Sequence, residues 1–190
     1  MHIILASQSP RRKELLAGMG VEFRTIPSNY EEKLDDTRDP AVVAEELALG
    51  KAMDVATKFP DAYVIGSDTI VTIDGRQLEK PIDEADARQM LRGLSGRVNY
   101  VTTGLAIVNI AQNIRLLEHD TTAVFFNELT DDEIAAYVAT GDPMDKAGGY
   151  ALQKLRGTMI SHIEGEEDTV VGLPTHKLRQ MFDQCKIEHS

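Results

Sequence analysis

From Ala62 to Ile73 the chain is dominated by β-branched and apolar side chains, broken by a single carboxylate at Asp68 and closed by Asp74-Gly75. Such a run is a strand and Asp-Gly is a strong hairpin turn, so Tyr63 to Gln77 is predicted to enter a hairpin. Side chains alternate between the two faces of a strand. Asp68 therefore shares a face with Val64, Gly66 and Ile70, where a carboxylate without a partner is costly to bury. Two readings follow. Either a metal ion or a basic side chain keeps Asp68 ionised, ready to orient or deprotonate a water, or Asp68 turns to solvent before the hairpin. Thr69 is expected on the opposite face unless a bulge intervenes.

The flanking segments predict a mixed α/β fold. His2 to Ser7 reads as a short buried strand, and Ser9 followed by Pro10 starts a helix with Leu15, Leu16 and Met19 inward and Gly18 and Gly20 at its end. Asp39-Pro40 repeats this start for a helix through about Lys58, with Val43, Leu47, Ala48, Ala52 and Val55 on its buried stripe. A helix from about Glu84 to Leu94 precedes strands over Tyr100 to Ile110 and Ile114 to Phe126. Thr130-Asp-Asp-Glu133 is a capping box for a helix that stops at Gly141. Met144 to Gln153 reads as a binding loop, Thr158 to Ile163 as a returning strand, and Gly172-Leu-Pro174 as the start of a last helix to about Phe182 with a polar tail. With 190 residues and no repeat or linker, 1–190 is expected to be one domain, or two small lobes sharing a core.

Charge narrows the partners. A net charge of −11 repels polynucleotide and anionic membrane at long range, so neither is expected as a partner. The one cysteine, Cys185, excludes an internal disulfide and fits a reducing, cytoplasmic compartment; no segment approaches the length of a membrane span. Against this acidic background Ser9-Pro-Arg-Arg-Lys-Glu14 is locally basic. The loop Ser7-Gln-Ser-Pro-Arg-Arg12 combines free N–H groups at a helix start, hydroxyls and guanidinium groups, a good cradle for phosphate, although Ser9 as a plain cap beside solvated arginines accounts for the same residues. It lacks the spacing of a Walker A loop.

Other residues are suggestive. Lys51 lies on or beside the apolar stripe of its helix, from where it snorkels to water or reaches a phosphate. Lys80-Pro81 adds a cation on a stiffened loop. One of Glu31 and Glu32 can join Asp68 in holding Mg²⁺, or both belong to an acidic loop. Gly148, Gly149 and Gln153 offer close backbone approach and an amide for a base edge. The five histidines have no paired spacing, and there is no Gly-x-Ser-x-Gly elbow.

Read in order, Leu5-Ala-Ser-Gln-Ser-Pro-Arg-Arg-Lys-Glu-Leu-Leu16, Glu32, Lys51-Ala52, Gly66-Ser-Asp-Thr-Ile-Val71, Lys80-Pro81, Leu94-Ser-Gly-Arg97, Asp145-Lys-Ala-Gly-Gly-Tyr150 with Gln153, and Val171-Gly-Leu-Pro174 resemble the Maf proteins over nearly the whole chain. These are nucleotide pyrophosphatases related in fold to inosine triphosphate pyrophosphatases and historically described as septum-formation inhibitors. The resemblance implies an elongated mixed β-sheet flanked by helices around a central cleft, a homodimer, and cleavage of a nucleoside triphosphate to monophosphate and pyrophosphate with Mg²⁺ or Mn²⁺. It implies Asp68 as catalytic base and metal ligand with Glu32. Ser7, Arg12, Lys51 and Lys80 would line the phosphates, and Arg11, Thr69 and Gln153 match the dTTP/UTP branch. Asn99 in place of a frequent His, Lys154-Leu155-Arg156-Gly157 in place of a glycine-rich segment, and Thr169 in place of a frequent Asn depart from the pattern. A non-catalytic regulator of division, and a phosphatase or nucleotidyl-transfer enzyme, are the competing readings.

Overall fold

The computed structural model describes residues 2–32, 35 and 37–189. In chain order the strands and helices are β1 (Ile3–Leu5), α1 (Pro10–Ala17), β2 (Arg24–Thr25), α2 (Pro40–Ala56), β3 (Tyr63–Ile73), β4 (Arg76–Leu78), α3 (Glu84–Leu94), β5 (Val98–Asn109), β6 (Ile114–Phe126), α4 (Asp131–Val138), α5 (Leu152–Leu155), β7 (Ile160–Glu164), α6 (Glu167–Val171) and α7 (Thr175–Cys185). They form one mixed seven-stranded sheet of order β2-β1-β3-β5-β6-β7, with β4 paired to β3. β1 runs parallel to β2 and β3; every other pairing is antiparallel. The β3, β5 and β6 strands are long, so the sheet extends roughly 35–45 Å along them at about 3.4 Å per residue.

The helix starts follow the local chemistry. Ser9 accepts from Arg12 N at the head of α1, Asp39 from Ala41 N at the head of α2, and Pro stands at the first turn of both. The Thr130/Glu133 box closes in both directions on α4. The Asp74-Gly75 turn joins β3 to β4 as predicted, with both residues at positive φ.

Alternation along β3 sorts the core. Tyr63 and Ile65 pack with Leu16 of α1, Met19 just after it and Leu178, Met181 and Phe182 of α7, whereas Val71 and Ile73 pack with Leu91 and Leu94 of α3 and Ile134 and Val138 of α4. These two apolar clusters share one face and are parted at Ser67 and Thr69. On the other face lies α2, its Ala48, Ala52 and Val55 meeting Val64 and Ala106, and its Val43, Ala44 and Leu47 meeting Ile70.

Some segments differ from expectation. Residues 142–155 are not an irregular loop but two 3-10 turns, Asp142–Asp145 and Ala147–Gly149, followed by the single turn α5. Short i→i+3 turns were hidden because their glycines carry no helical periodicity. The last helix runs on to Cys185, and the tail beyond it is not wholly polar, since Ile187 is buried beside Phe182. β2 and α6 are too short for any periodic signal.

Candidate active site

The sheet has a break in one edge of β3. β1 pairs with β3 only as far as Leu5–Ile65, with one further bond from Ala6 N to Ile65 O, and β4 begins at Val71–Leu78. Along that edge Gly66 to Ile70 have no paired strand among the described residues, while their other edge is fully laddered to β5. The chain leaving β1 turns here through Ser7 to Pro10 into α1. Topology therefore delivers the Ser-Pro-Arg-Arg loop to the stretch that carries Asp68, and it does so because β1 is short.

Asp68 faces α2, as alternation requires. Lys51 Nζ lies 2.5 Å from Asp68 Oδ1 and 2.7 Å from Glu32 Oε1, with side-chain exposures of 13% for Lys51, 9% for Asp68 and 48% for Glu32. The lysine does not snorkel to water. Its reach is set by how closely α2 packs: a Cβ on Gly66 would fall 2.0 Å from Ala48 O, so only glycine lets the helix backbone come this near. Glu32 arrives on a segment that runs along α2, with Asn29 N donating to Asp54 Oδ2 and the Tyr30 ring lying against Gly50.

Burial pushes the Asp68 pKa above the ordinary carboxylate range, against the opposing charges of Lys51 and Arg12. Desolvation acts on Glu32 in the same sense, but the Lys51 hydrogen bond and the charges of Lys51, Lys80 and Arg12 together prevail and hold it below its usual value. The two carboxylates are thus shifted in opposite directions, Asp68 toward its protonated form and Glu32 toward its charged form.

On the opposite face Arg12 is held at several points. Nε donates to Gly172 O at 2.8 Å, Nη2 to Thr69 Oγ1 at 3.0 Å and Nη1 to Ser7 Oγ at 3.5 Å. Ser67 Oγ donates to the same Gly172 carbonyl at 2.9 Å. Burial lowers the Arg12 pKa and Asp68 raises it. Arg12 thus stands at the break in the sheet, tied to one face and within electrostatic reach of the carboxylate on the other.

Lys80 is exposed on the loop after β4, and its charge acts on Glu32. Arg11 is partly buried and its charge acts on Arg12 as well as on Asp145 and Tyr137. Gln153 is exposed on α5, outside the hydrogen-bonded cluster. Asn99 is wholly buried, accepting from Tyr150 Oη at 2.7 Å and donating to Val124 O, so it braces the segment carrying Gly148 and Gly149. Lys154 pairs with Asp142 and Arg156 with Glu167 at the surface. Sequence reading missed Ser67, Thr103 and Gly172 as site residues; the opposite-face alternation of Ser67 and Thr69 was the available signal. One surface concavity of about 630 Å³ runs along Lys13, Val21 and Phe23 and another along His2, Ile4 and Phe59, and neither is lined by Asp68. Charge and geometry, not volume, mark this site.

Among the described residues no group of three or more His, Cys, Asp or Glu side chains could hold a metal. Asp68 and Glu32, however, converge on one cation, the Lys51 ammonium. Mg²⁺ is commonly held by one or two carboxylates with the remaining positions filled by water and substrate phosphate, and this hard-oxygen pair fits that use.

The sequence model of the family described as Maf-like protein matches residues 2–185. A dTTP/UTP pyrophosphatase of Koribacter versatilis is 46% identical over 187 residues, covering 98% of this chain and 96% of that protein. One from Moorella thermoacetica is 45% identical, covering 95% and 93%. One from Bacillus cereus is 46% identical, covering 98% and 96%. Among solved structures, the Staphylococcus aureus Ham1 protein superposes with a TM-score of 0.49 at 13% identity, covering 98% of this chain and 100% of that one.

Proposed function

The chain belongs to the Maf-like protein family, and from that membership we propose that it is a nucleoside triphosphate pyrophosphatase that hydrolyses dTTP and UTP to the monophosphate and pyrophosphate. The observation that carries this reading is the meeting of a buried carboxylate, Asp68, with Lys51, Glu32 and the Arg12 loop at one break in the sheet.

In this reading Asp68 accepts a proton from water as the water oxygen bonds to phosphorus, in line with the anhydride bond that breaks. The raised pKa of Asp68 makes it a better base than an ordinary aspartate. Arg12, Lys51 and Lys80 neutralise the departing pyrophosphate, and the Ser7 hydroxyl and the Arg11 backbone N–H at the start of α1 bind phosphate oxygens. Arg11, Thr69 and Gln153 select the pyrimidine base. A divalent ion, Mg²⁺ or in its place Mn²⁺, bound at Glu32 and Asp68 would draw negative charge off the substrate oxygens.

The same proposal includes a single domain with two lobes about the cleft, a cytoplasmic homodimer, and no nucleic-acid or membrane partner. The acidic charge and the single cysteine support it, and no helix among the described residues is long and apolar enough to cross a membrane.

A panel of nucleotides incubated with protein and Mg²⁺ in ¹⁸O-water, resolved by chromatography, tests the reading. Monophosphate and pyrophosphate from dTTP and UTP are expected, with Asp68→Asn lowering turnover about 10²–10⁴-fold while binding persists. Free phosphate as the product, nucleotide binding with no pyrophosphate released, or wild-type turnover in Asp68→Asn would each overturn it.

A further inference from the structure

We propose that Thr103 is a positioning residue for this reaction, fixing the Arg12 guanidinium through the hydroxyl of Thr69; the inference rests on the pyrophosphatase reading above. Thr103 stands on β5 directly across the ladder from Thr69 and is wholly buried. Its Oγ1 lies 2.9 Å from Thr69 Oγ1 and donates to Thr169 O at 2.7 Å. Thr69 Oγ1 in turn accepts from Arg12 Nη2 at 3.0 Å.

The two ends of this series decide its direction. A guanidinium only donates and a carbonyl only accepts, whereas each hydroxyl between them gives one proton and takes others. The protons therefore run one way, from Arg12 to Thr69 to Thr103 to the Thr169 carbonyl. Both hydroxyl rotors are locked, and Thr69 can present only a lone pair to Arg12.

The series also closes on itself. Thr169 belongs to α6, whose C-cap Gly172 places its carbonyl 2.8 Å from Arg12 Nε. Thr169 Oγ1 donates to Asp120 Oδ2, tying the same helix to β6. Arg12 is thereby gripped at Nε and Nη2 by two acceptors, and Thr103 sets both: it orients one and anchors the helix that carries the other. A planar guanidinium held at two points has its plane fixed, which is what recognition of a phosphate by Arg needs. A side chain held 1 Å out of place loses much of that advantage.

Thr103→Val keeps the volume and removes the hydroxyl. In steady-state assays with dTTP it is expected to lower kcat/KM about tenfold, the effect of one lost oriented hydrogen bond at the reacting group, while Thr103→Ser stays within about twofold of wild type. In an Arg12→Ala background the Thr103→Val change should add nothing, since residues that act through one another are non-additive. Should Thr103→Val not fold, Thr103→Cys, close in volume but a weak donor, is expected to show the same fall and the same non-additivity. Wild-type kinetics in the valine or cysteine variant, failure of serine to restore activity, or a loss that persists undiminished without Arg12 would overturn the proposal. A wild-type protein that releases no pyrophosphate would instead overturn the pyrophosphatase reading on which it rests.

Discussion

Lys51 Nζ lies 2.5 Å from Asp68 Oδ1 and bridges that carboxylate to Glu32, so an ammonium stands at the point on which the two proposed metal ligands converge. A lysine and a divalent ion competing for the same oxygens oppose one another, since each neutralises the charge that attracts the other. On the proposed reading, Glu32 and Asp68 would hold the metal and Lys51 would serve the phosphates, so the ammonium would have to leave the carboxylates.

Removing that ammonium should therefore separate binding of metal from turnover. In Lys51→Met, Mn²⁺ titrated into nucleotide-free protein and followed by its paramagnetic resonance signal is expected to bind about tenfold tighter, equivalent to ~1.4 kcal/mol. Turnover should fall, because a cation for the leaving pyrophosphate is gone. Unchanged or weaker Mn²⁺ binding would mean that lysine and metal do not share the site.

Burial of Asp68 has a consequence for stability with a definite sign. Its folded pKa is raised above the unfolded value near 3.9, so the fold favours the protonated carboxyl. That contribution is fully present below the unfolded pKa and is lost as pH rises through the raised, folded one. Asparagine cannot ionise. The melting temperature of metal-free Asp68→Asn, minus that of the wild type, should consequently increase as pH rises through this window. The expected gain is about 3–6 °C for each unit by which Asp68 is raised, from ~1.4 kcal/mol per unit and roughly 2–4 °C per kcal/mol. A difference that is flat with pH, or shrinks, would show that Lys51 and Arg12 outweigh burial.

Much of this was legible in the sequence. Alternation placed Asp68 on the face of Val64, Gly66 and Ile70 and Thr69 on the other, and helix periodicity placed Lys51 on or beside the α2 stripe, because strand and helix periods are local properties; that Lys51 meets Asp68 was not legible. What periodicity cannot show is where a strand stops relative to its neighbour. The break between β1 and β4 depends on the Leu5–Ile65 and Val71–Leu78 registers, which join residues far apart in the chain. The Thr103–Thr169 bond spans 66 residues and is formed with a helix too short to announce itself. Asn99 reads only as a departure from the family pattern until its partner, Tyr150, places it in the core.

Gly66 tests whether close helix packing delivers Lys51. A methyl group there would sit 2.0 Å from Ala48 O and 2.9 Å from Ala52 N, so Gly66→Ala must push α2 outward. It is expected to cost about 1–3 kcal/mol in urea unfolding, as overpacking does, and to lower turnover by drawing Lys51 off Asp68. Gly93→Ala on the exposed part of α3 meets nothing within 4 Å and should instead stabilise by about 0.5–1 kcal/mol. Equal effects at the two glycines would remove the packing argument.

Gly172 combines two constraints that substitution can separate. Its φ of +111° disfavours any side chain, and a Cβ there would approach Thr69 Oγ1 to 2.9 Å and Arg12 Nε to 3.2 Å. Gly141 has a φ of +76° with nothing within 4 Å of such a Cβ, so alanine there meets a positive-φ backbone without the contact. Both Gly141→Ala and Gly172→Ala are expected to lose about 1–2 kcal/mol of stability from the left-handed backbone. Only Gly172→Ala should also reduce kcat/KM for dTTP, by about tenfold or more, because its methyl displaces the guanidinium from the carbonyl and hydroxyl that hold it. Steady-state kinetics on the pair, each checked by urea unfolding, decide the matter. Equal kcat/KM in the two variants would mean that Arg12 tolerates the displacement and that its grip by Gly172 is structural alone.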